Sequence, residues 1–199
     1  MSTTLFSNAR IFQGEKGFVK GSFSVINDRF GEILPETETE RRGNSGLRPH
    51  EEANLRSLHA LSGSGEAGLQ NPGALPEPGT VDLQGLYVLP GLVDIHTHGN
   101  SGSDFSDGSA EGLRKMGSYL ASNGITAFLP TSMTLPFEKL ANAYGTAASY
   151  ALNRPVDGAR ALGIHMEGPY FSETKKGAQN GAFLKLPDAD EFFTLQEAC

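Results

Sequence analysis

From Tyr87 onward the chain alternates short apolar runs with segments of helical period, and this alternation restricts its fold more than any other feature. "YVLPGLVDIH" (87–96), "ITAFLPT" (125–131) and "ARALGIHM" (159–166) each read as a strand. Between the first two, "SAEGLRKMGSYLASNG" (109–124) puts Leu113, Met116 and Leu120 on one helical face, with Gly124 placed to end the helix. Between the second and third, "TLPFEKLANAYGTAASYAL" (134–152) aligns Phe137, Leu140, Tyr144 and Ala148, with Thr134 as N-cap and Pro136 in the first turn. Strand, helix, strand at these spacings predicts parallel βαβ units with right-handed crossovers. The closing "PDADEFFTLQEAC" begins another helical pattern.

The preceding residues have a different character. "TLFSNARIF" (4–12) and "GSFSVINDRFGEIL" (21–34) alternate apolar residues such as Phe23, Val25 and Ile33 between glycines, which predicts a small β-layer. Val81, Leu83 and Tyr87 in "TVDLQGLYVLPG" resume it. Residues 36–79 contain no Val, Ile, Phe, Tyr, Trp or Met, and such a stretch buries too little apolar surface to offset its ordering entropy. The expectation is a small β domain from 1–35 and 80–89, a disordered insertion over 36–79 carrying His50 and His59 as solvated bystanders, and a βα region over 90–199. A complete eight-fold barrel needs roughly 250 residues, and about 110 follow Pro90. The expected fold is therefore α/β, a partial (β/α)8 barrel of the first three or so βα units behind a β-sandwich-like layer, in a truncated chain.

Charge and composition narrow the partners. A net charge of −7 without a basic block gives no footprint for nucleic acid. No run approaches the ~18 apolar residues of a membrane span, and the N-terminus lacks a secretory pattern, so no membrane partner and a cytoplasmic location are expected. Cys199 is the one cysteine, so a metal site here must draw on histidine, carboxylate and water.

"LPGLVDIHTHG" (89–99) supplies two of those ligand types. Side chains alternate along a strand, so His96 and His98 share one face, with Asp94, while Ile95 and Thr97 take the other. Two imidazoles so placed can converge on one ion. Polar residues also collect wherever a buried strand meets solvent, and for an isolated His-x-His pair both readings stand. Position favours ligands: a Pro-Gly pair and an apolar stretch put the pair at the carboxyl end of the first barrel strand, where barrel enzymes carry their sites. In "LGIHMEGPYF" (162–171), Glu167 follows an apolar strand and precedes a Gly-Pro that turns the chain outward. A charged loop residue is the plain alternative, but it needs neither flank. His165, two positions earlier, is expected to be a hydrogen-bonded supporting residue.

"DLQGLYVLPGLVDIHTHG" (82–99) resembles the opening of amidohydrolase-superfamily barrels. "HTHGNSGSDFSDG" (96–108), "GITAFLPTSMT" (124–134) and "HMEGPYFSETKKGAQN" (165–180), in that order, resemble the N-acetylglucosamine-6-phosphate deacetylase family of that superfamily. The resemblance runs from about Val81 to Asn180. It implies hydrolysis of the acetamide of N-acetyl-D-glucosamine 6-phosphate to D-glucosamine 6-phosphate and acetate, with one or two divalent ions, zinc or iron. It also implies that Glu167 is a metal ligand, that His96 and His98 hold a second or alternative ion, and that Ala178 and Gln179 lie against the phosphorylated amino sugar. Lys175 and Lys176 are read as a solvated pair. The family's other metal histidines, its catalytic aspartate on a late strand and its phosphate-binding groups find no counterpart here, so no catalytic acid is assigned, and the full-length form is expected to be a homodimer. Two alternatives remain: a dihydroorotase-like cyclic amidohydrolase, which leaves Glu-Gly-Pro unexplained, and a non-catalytic remnant or gene-model fragment.

Overall fold

The computed structural model describes residues 3–27, 29–36 and 79–199. The expected insertion, with His50 and His59, falls on residues 37–78, outside those described. The fold is mixed α/β, and among the described residues it divides into two compact units, 3–36 with 79–90, and 91–199.

The first unit is a five-stranded sheet. β1 (Thr3–Phe12), β2 (Phe18–Ile26) and β3 (Arg29–Pro35) form an antiparallel meander; β4 (Thr80–Asp82) and β5 (Tyr87–Val88) each pair parallel with β1. Ala9, Ile11 and Phe23 form its buried centre, with Phe6 stacked on Phe23 at 5.0 Å between centroids. Residues 87–96 are thus not one strand. Pro90 has no N–H to give a ladder, and Leu89, Pro90 and Gly91 stay outside any strand while β6 (Leu92–Thr97) starts the second unit. Gly91 lies against Thr126, where a Cβ would collide with that side chain.

In the second unit β6, β9 (Ile125–Pro130) and β10 (Arg160–Ala161) form a parallel sheet in the order β10-β9-β6. A hairpin of β7 (Gly99–Asn100) and β8 (Ser103–Asp104) leads from β6 into α1 (Ala110–Ser122), which Ser109 caps by accepting from Gly112 N–H. As the periodicity predicts, α1 buries Leu113, Met116 and Leu120, and Gly124 follows its end at φ 79°.

Two expectations need correction in α2 (Phe137–Leu152). Its N-cap is Pro136; Thr134 lies two residues earlier, and its hydroxyl accepts no helix N–H. Its buried face is Leu140, Ala143, Tyr144, Ala147 and Tyr150, while Phe137 and Ala148 are half-buried. The third strand is also shorter than its apolar run. β10 stops at Ala161, and Leu162 donates to Phe128 C=O before Gly163 interrupts the ladder. Pairing resumes once, where His165 donates to Pro130 C=O and Ser132 donates back to His165 C=O, each at 3.0 Å. That single bridge fixes the approach of Glu167.

Phe128, Met116, Leu140 and Leu113 fill the core between this sheet and the helices, each side chain contributing about 1.5–3 kcal/mol. Parallel strands are ordinarily covered on both faces, yet β6 leaves Leu92, Val93 and Ile95 exposed. α3 (Ala189–Glu197), capped by the Asp188 carboxylate, adds Leu195 to the core.

The helix packing gives a paired prediction. A Cβ on Gly117 would strike the Tyr150 hydroxyl, which donates to Ala159 C=O at 2.7 Å, whereas a Cβ on Gly145 meets its nearest atom at 3.9 Å. Gly117→Ala is expected to cost about 1–3 kcal/mol and Gly145→Ala to gain up to about 1 kcal/mol, as read from denaturant midpoints.

Candidate metal centre

The ligand candidates lie at or beyond the carboxyl ends of β6 and β10, the two outer strands of the sheet, with β9 between them. His96 lies at the end of β6 and His98 just past it, and their rings lie 5.2 Å apart at 75°. Both turn Nε2 to the same atom: Glu167 Oε2 is 2.8 Å from His96 Nε2 and 3.1 Å from His98 Nε2. One ligand atom from each of the three residues lies within 4.8 Å of the others. Asp94, expected on the same face, is spent on the backbone, accepting from His96 N–H at 3.0 Å.

The hydrogen bonding defines what these atoms can be. His98 Nδ1 is 3.1 Å from Thr131 C=O, and a carbonyl oxygen only accepts, so Nδ1 carries a hydrogen. A neutral His98 therefore turns a bare Nε2 lone pair toward a carboxylate oxygen. That arrangement is stable only with positive charge between them, as a proton on the ring or a shared cation. Fixing one imidazole nitrogen so that the other can bind metal is the ordinary duty of an outer hydrogen-bond partner.

The end of β9 supports all three residues. Besides holding His98, Thr131 accepts from Thr97 N–H through Oγ1, which also lies 3.5 Å from His165 Nδ1. The His165 ring packs edge-on to His96 at 4.5 Å, the supporting place expected for it. Ser132 meets the Tyr144 hydroxyl at 3.1 Å, and Thr134 N–H reaches Gln179 Oε1 at 2.7 Å. Thr131, Ser132 and Thr134 are buried. The sequence reading missed their role; its signal was a polar "TSMT" placed where an apolar strand ends.

Glu167 lies beyond the split third strand on a loop that the Gln179 amide closes, with Nε2 donating to Glu167 Oε1 at 2.9 Å. Burial raises the carboxyl pKa, but the Gln179 and His96 hydrogen bonds and the two nearby imidazoles outweigh it, and the net shift is downward. Ala178 is exposed, whereas the Gln179 side chain is buried with both ends of its amide engaged. Lys175 is exposed as expected; Lys176 turns back to Gln179 C=O at 3.0 Å and is only half-buried. Of the acidic residues after Glu167, Glu173 lies in the loop, Asp188 caps α3, and Asp190, Glu191 and Glu197 lie along it.

Residues 87–189 match the profile of the amidohydrolase family. The N-acetylglucosamine-6-phosphate deacetylase of Vibrio furnissii is 41% identical over 98 residues, 49% of this chain and 24% of that protein. The protein of the same name from Bacillus subtilis is 37% identical over 126 residues, 61% of this chain and 32% of that one. The solved structure of N-acetylglucosamine-6-phosphate deacetylase from Pasteurella multocida superposes with a TM-score of 0.69, covering 98% of this chain and 42% of its own; at 24% identity the likeness is one of fold. The chain spans about a quarter to a third of the length of these curated relatives. Among the described residues no helix is long and apolar enough to cross a membrane.

A carboxyl whose folded pKa lies below its ordinary 4.5 stabilises the fold above that value and loses the contribution as pH falls through the lower one. In chelator-treated protein, Glu167→Gln is expected to flatten the acid limb of the stability–pH curve, measured as urea midpoints at neutral pH and at several values below 4.5. An unchanged limb would mean that the imidazoles do not face this carboxylate in solution.

Proposed function

The chain belongs to the amidohydrolase family, and from that premise we propose that it forms the opening part of a metal-dependent deacetylase acting on N-acetyl-D-glucosamine 6-phosphate. The observation that carries this is the convergence of His96 Nε2 and His98 Nε2 on one oxygen of Glu167. Two imidazoles and a carboxylate form a donor set suited to zinc or ferrous iron. Three protein ligands are also the usual complement of a catalytic site that keeps a position open. In this reading β6, β9 and β10 with α1 and α2 are the first units of a (β/α)8 barrel, and the sheet of β1–β5 is a separate small domain.

A divalent ion held there supplies Lewis acidity, giving an activated water at neutral pH and a polarised amide carbonyl. The chain's own residues do the rest. Thr131 keeps His98 in the tautomer that presents Nε2, and Gln179 and both imidazoles keep Glu167 ionised. His96, with half of its side chain exposed, faces the solvent side from which a substrate would arrive. Ala178, exposed on the same loop, is the residue that the resemblance lays against the sugar. The departing amine needs a proton, work worth about 100–10,000-fold. Its donor by the resemblance, an aspartate on a late strand, has no counterpart among the described residues. The proposed substrate is a sugar phosphate that does not cross a bilayer unaided, which agrees with a cytoplasmic enzyme; a homodimer is the assembly the resemblance implies.

Two measurements test the proposal. Cobalt(II) or zinc should bind the 199-residue chain at a site lost in His96→Ala, His98→Ala and Glu167→Ala. In a chimera where residues 87–189 replace the matching part of the Vibrio furnissii protein, acetate should be released from N-acetylglucosamine 6-phosphate. His96→Ala or Glu167→Ala should abolish that release. Turnover that survives Glu167→Ala in the chimera would overturn the ligand assignment.

A further inference from the structure

We propose that Gln179 is a positioning residue for the candidate metal centre, fixing the Glu167 carboxylate so that Oε1 is tied back and Oε2 faces the two imidazoles. The proposal rests on the metal-centre reading above and adds a residue that acts through another. An unrestrained glutamate rotates freely about its last torsion, whose profile is broad and two-fold. A ligand with that freedom loses entropy on binding, and a group already held in place does not.

The Gln179 amide removes the freedom, and its orientation follows from its neighbours. Thr134 N–H can only donate, so the amide atom 2.7 Å from it is the oxygen. An ionised Glu167 can only accept, so the atom 2.9 Å from its Oε1 is the nitrogen. A flipped amide would face a donor with a donor and an acceptor with an acceptor. The second Nε2 hydrogen has Met133 Sδ at 3.8 Å. With 4% of the residue exposed, little of the amide remains to greet a ligand from solvent. Its contribution near the site is therefore mechanical, and contact with a sugar falls to exposed Ala178 and the backbone.

The clamp is itself anchored. Lys176 Nζ donates to Gln179 C=O at 3.0 Å, and Gln179 N–H to Lys176 C=O at 3.2 Å. On the other side Gly168, at φ 79°, lets the Thr134 side chain pack where a Cβ would stand, so the residue next to Glu167 is seated on the same threonine that Gln179 grips. The carboxylate is thus tied to the end of β9, as His98 is through Thr131. Both ligands take their position from one buried segment.

The test uses cobalt(II) on the 199-residue chain, with affinity read by chelator competition and coordination read from the visible absorption bands. Gln179→Met keeps the volume and removes the donor and acceptor; it is expected to weaken cobalt binding about 10–100-fold and to alter the bands, with a cooperative melt showing that the variant is folded. Wild-type affinity and spectrum in folded Gln179→Met would overturn the positioning role. If cobalt fails to bind the wild type, or binds equally well after Glu167→Ala, the metal-centre reading falls and the proposal with it. If binding is lost in Glu167→Ala and unchanged in Gln179→Met, only the proposal falls. Should Gln179→Met not fold, the wild type decides. Of its five glutamine side-chain amides, that of Gln179 should exchange hydrogen slowly and shift when zinc is added, seen by nitrogen-15 NMR. A fast-exchanging amide indifferent to zinc would overturn the proposal.

Discussion

Electron-rich atoms held within hydrogen-bond distance of one another demand a positive charge, and the second unit is organised around meeting that demand at one point. Glu167 Oε2 has imidazole nitrogens at 2.8 and 3.1 Å. The far nitrogen of one ring is already committed to the Thr131 carbonyl. In water these groups would separate, and each would be solvated alone. They stay together because the backbone beneath them is held by the bridge between Thr131 and His165 and by the bonds of Thr131 to Thr97 and His98.

That packing depends on parallel strands ending on the same side. β6, β9 and β10 run in one direction, so the segments that follow their carboxyl ends meet at a common rim, the one after β10 through the single bridge at His165. The middle strand has a different task from its neighbours. β6 and the segment after β10 supply the imidazoles and the carboxylate, and β9 supplies a buried polar run that binds both. Buried hydroxyls and amides are costly unless paired, and most of these are paired with the segments that carry His98 and Glu167. Thr131 gives its carbonyl to His98 and its hydroxyl to Thr97 N–H, and Ser132 N–H goes to His165 C=O. The polar run is tolerated in the interior because the site needs what it offers, and the site holds its shape because the run is buried.

Much of this was legible in the sequence, and what was not has a common physical reason. Strand alternation put His96 and His98 on one face, and helical period placed Leu113, Met116 and Leu120 inward, because periodicity reports which side of an element is buried. It does not report where an element stops or what it touches. Residues 87–96 read as one strand although Pro90 divides them between two units, and the apolar run at 159–166 concealed the interruption after Ala161. Thr134 looked like a helix cap, since threonine before a helical pattern usually is one; the helix starts two residues too late for its hydroxyl to serve, and its N–H is bonded to Gln179, 45 residues away. The bond between the Gln179 amide and Glu167 depends on a loop closure that no local pattern encodes.

The burial gradient across the site follows from these attachments. Gln179 and Thr131 are nearly inaccessible, the Glu167 side chain is 25% exposed, His98 34% and His96 50%. Rigidity therefore enters from the interior, and access is reserved for the outer face. A site built the other way, with exposed supports and a buried ligand, would have to move to admit a substrate, and each movement would disturb the geometry on which its chemistry relies. His96 is the most exposed of the three and also a partner of Glu167 Oε2 at 2.8 Å, whereas the bonds from Thr131 to His98 and from Gln179 to Glu167 lie on the buried side.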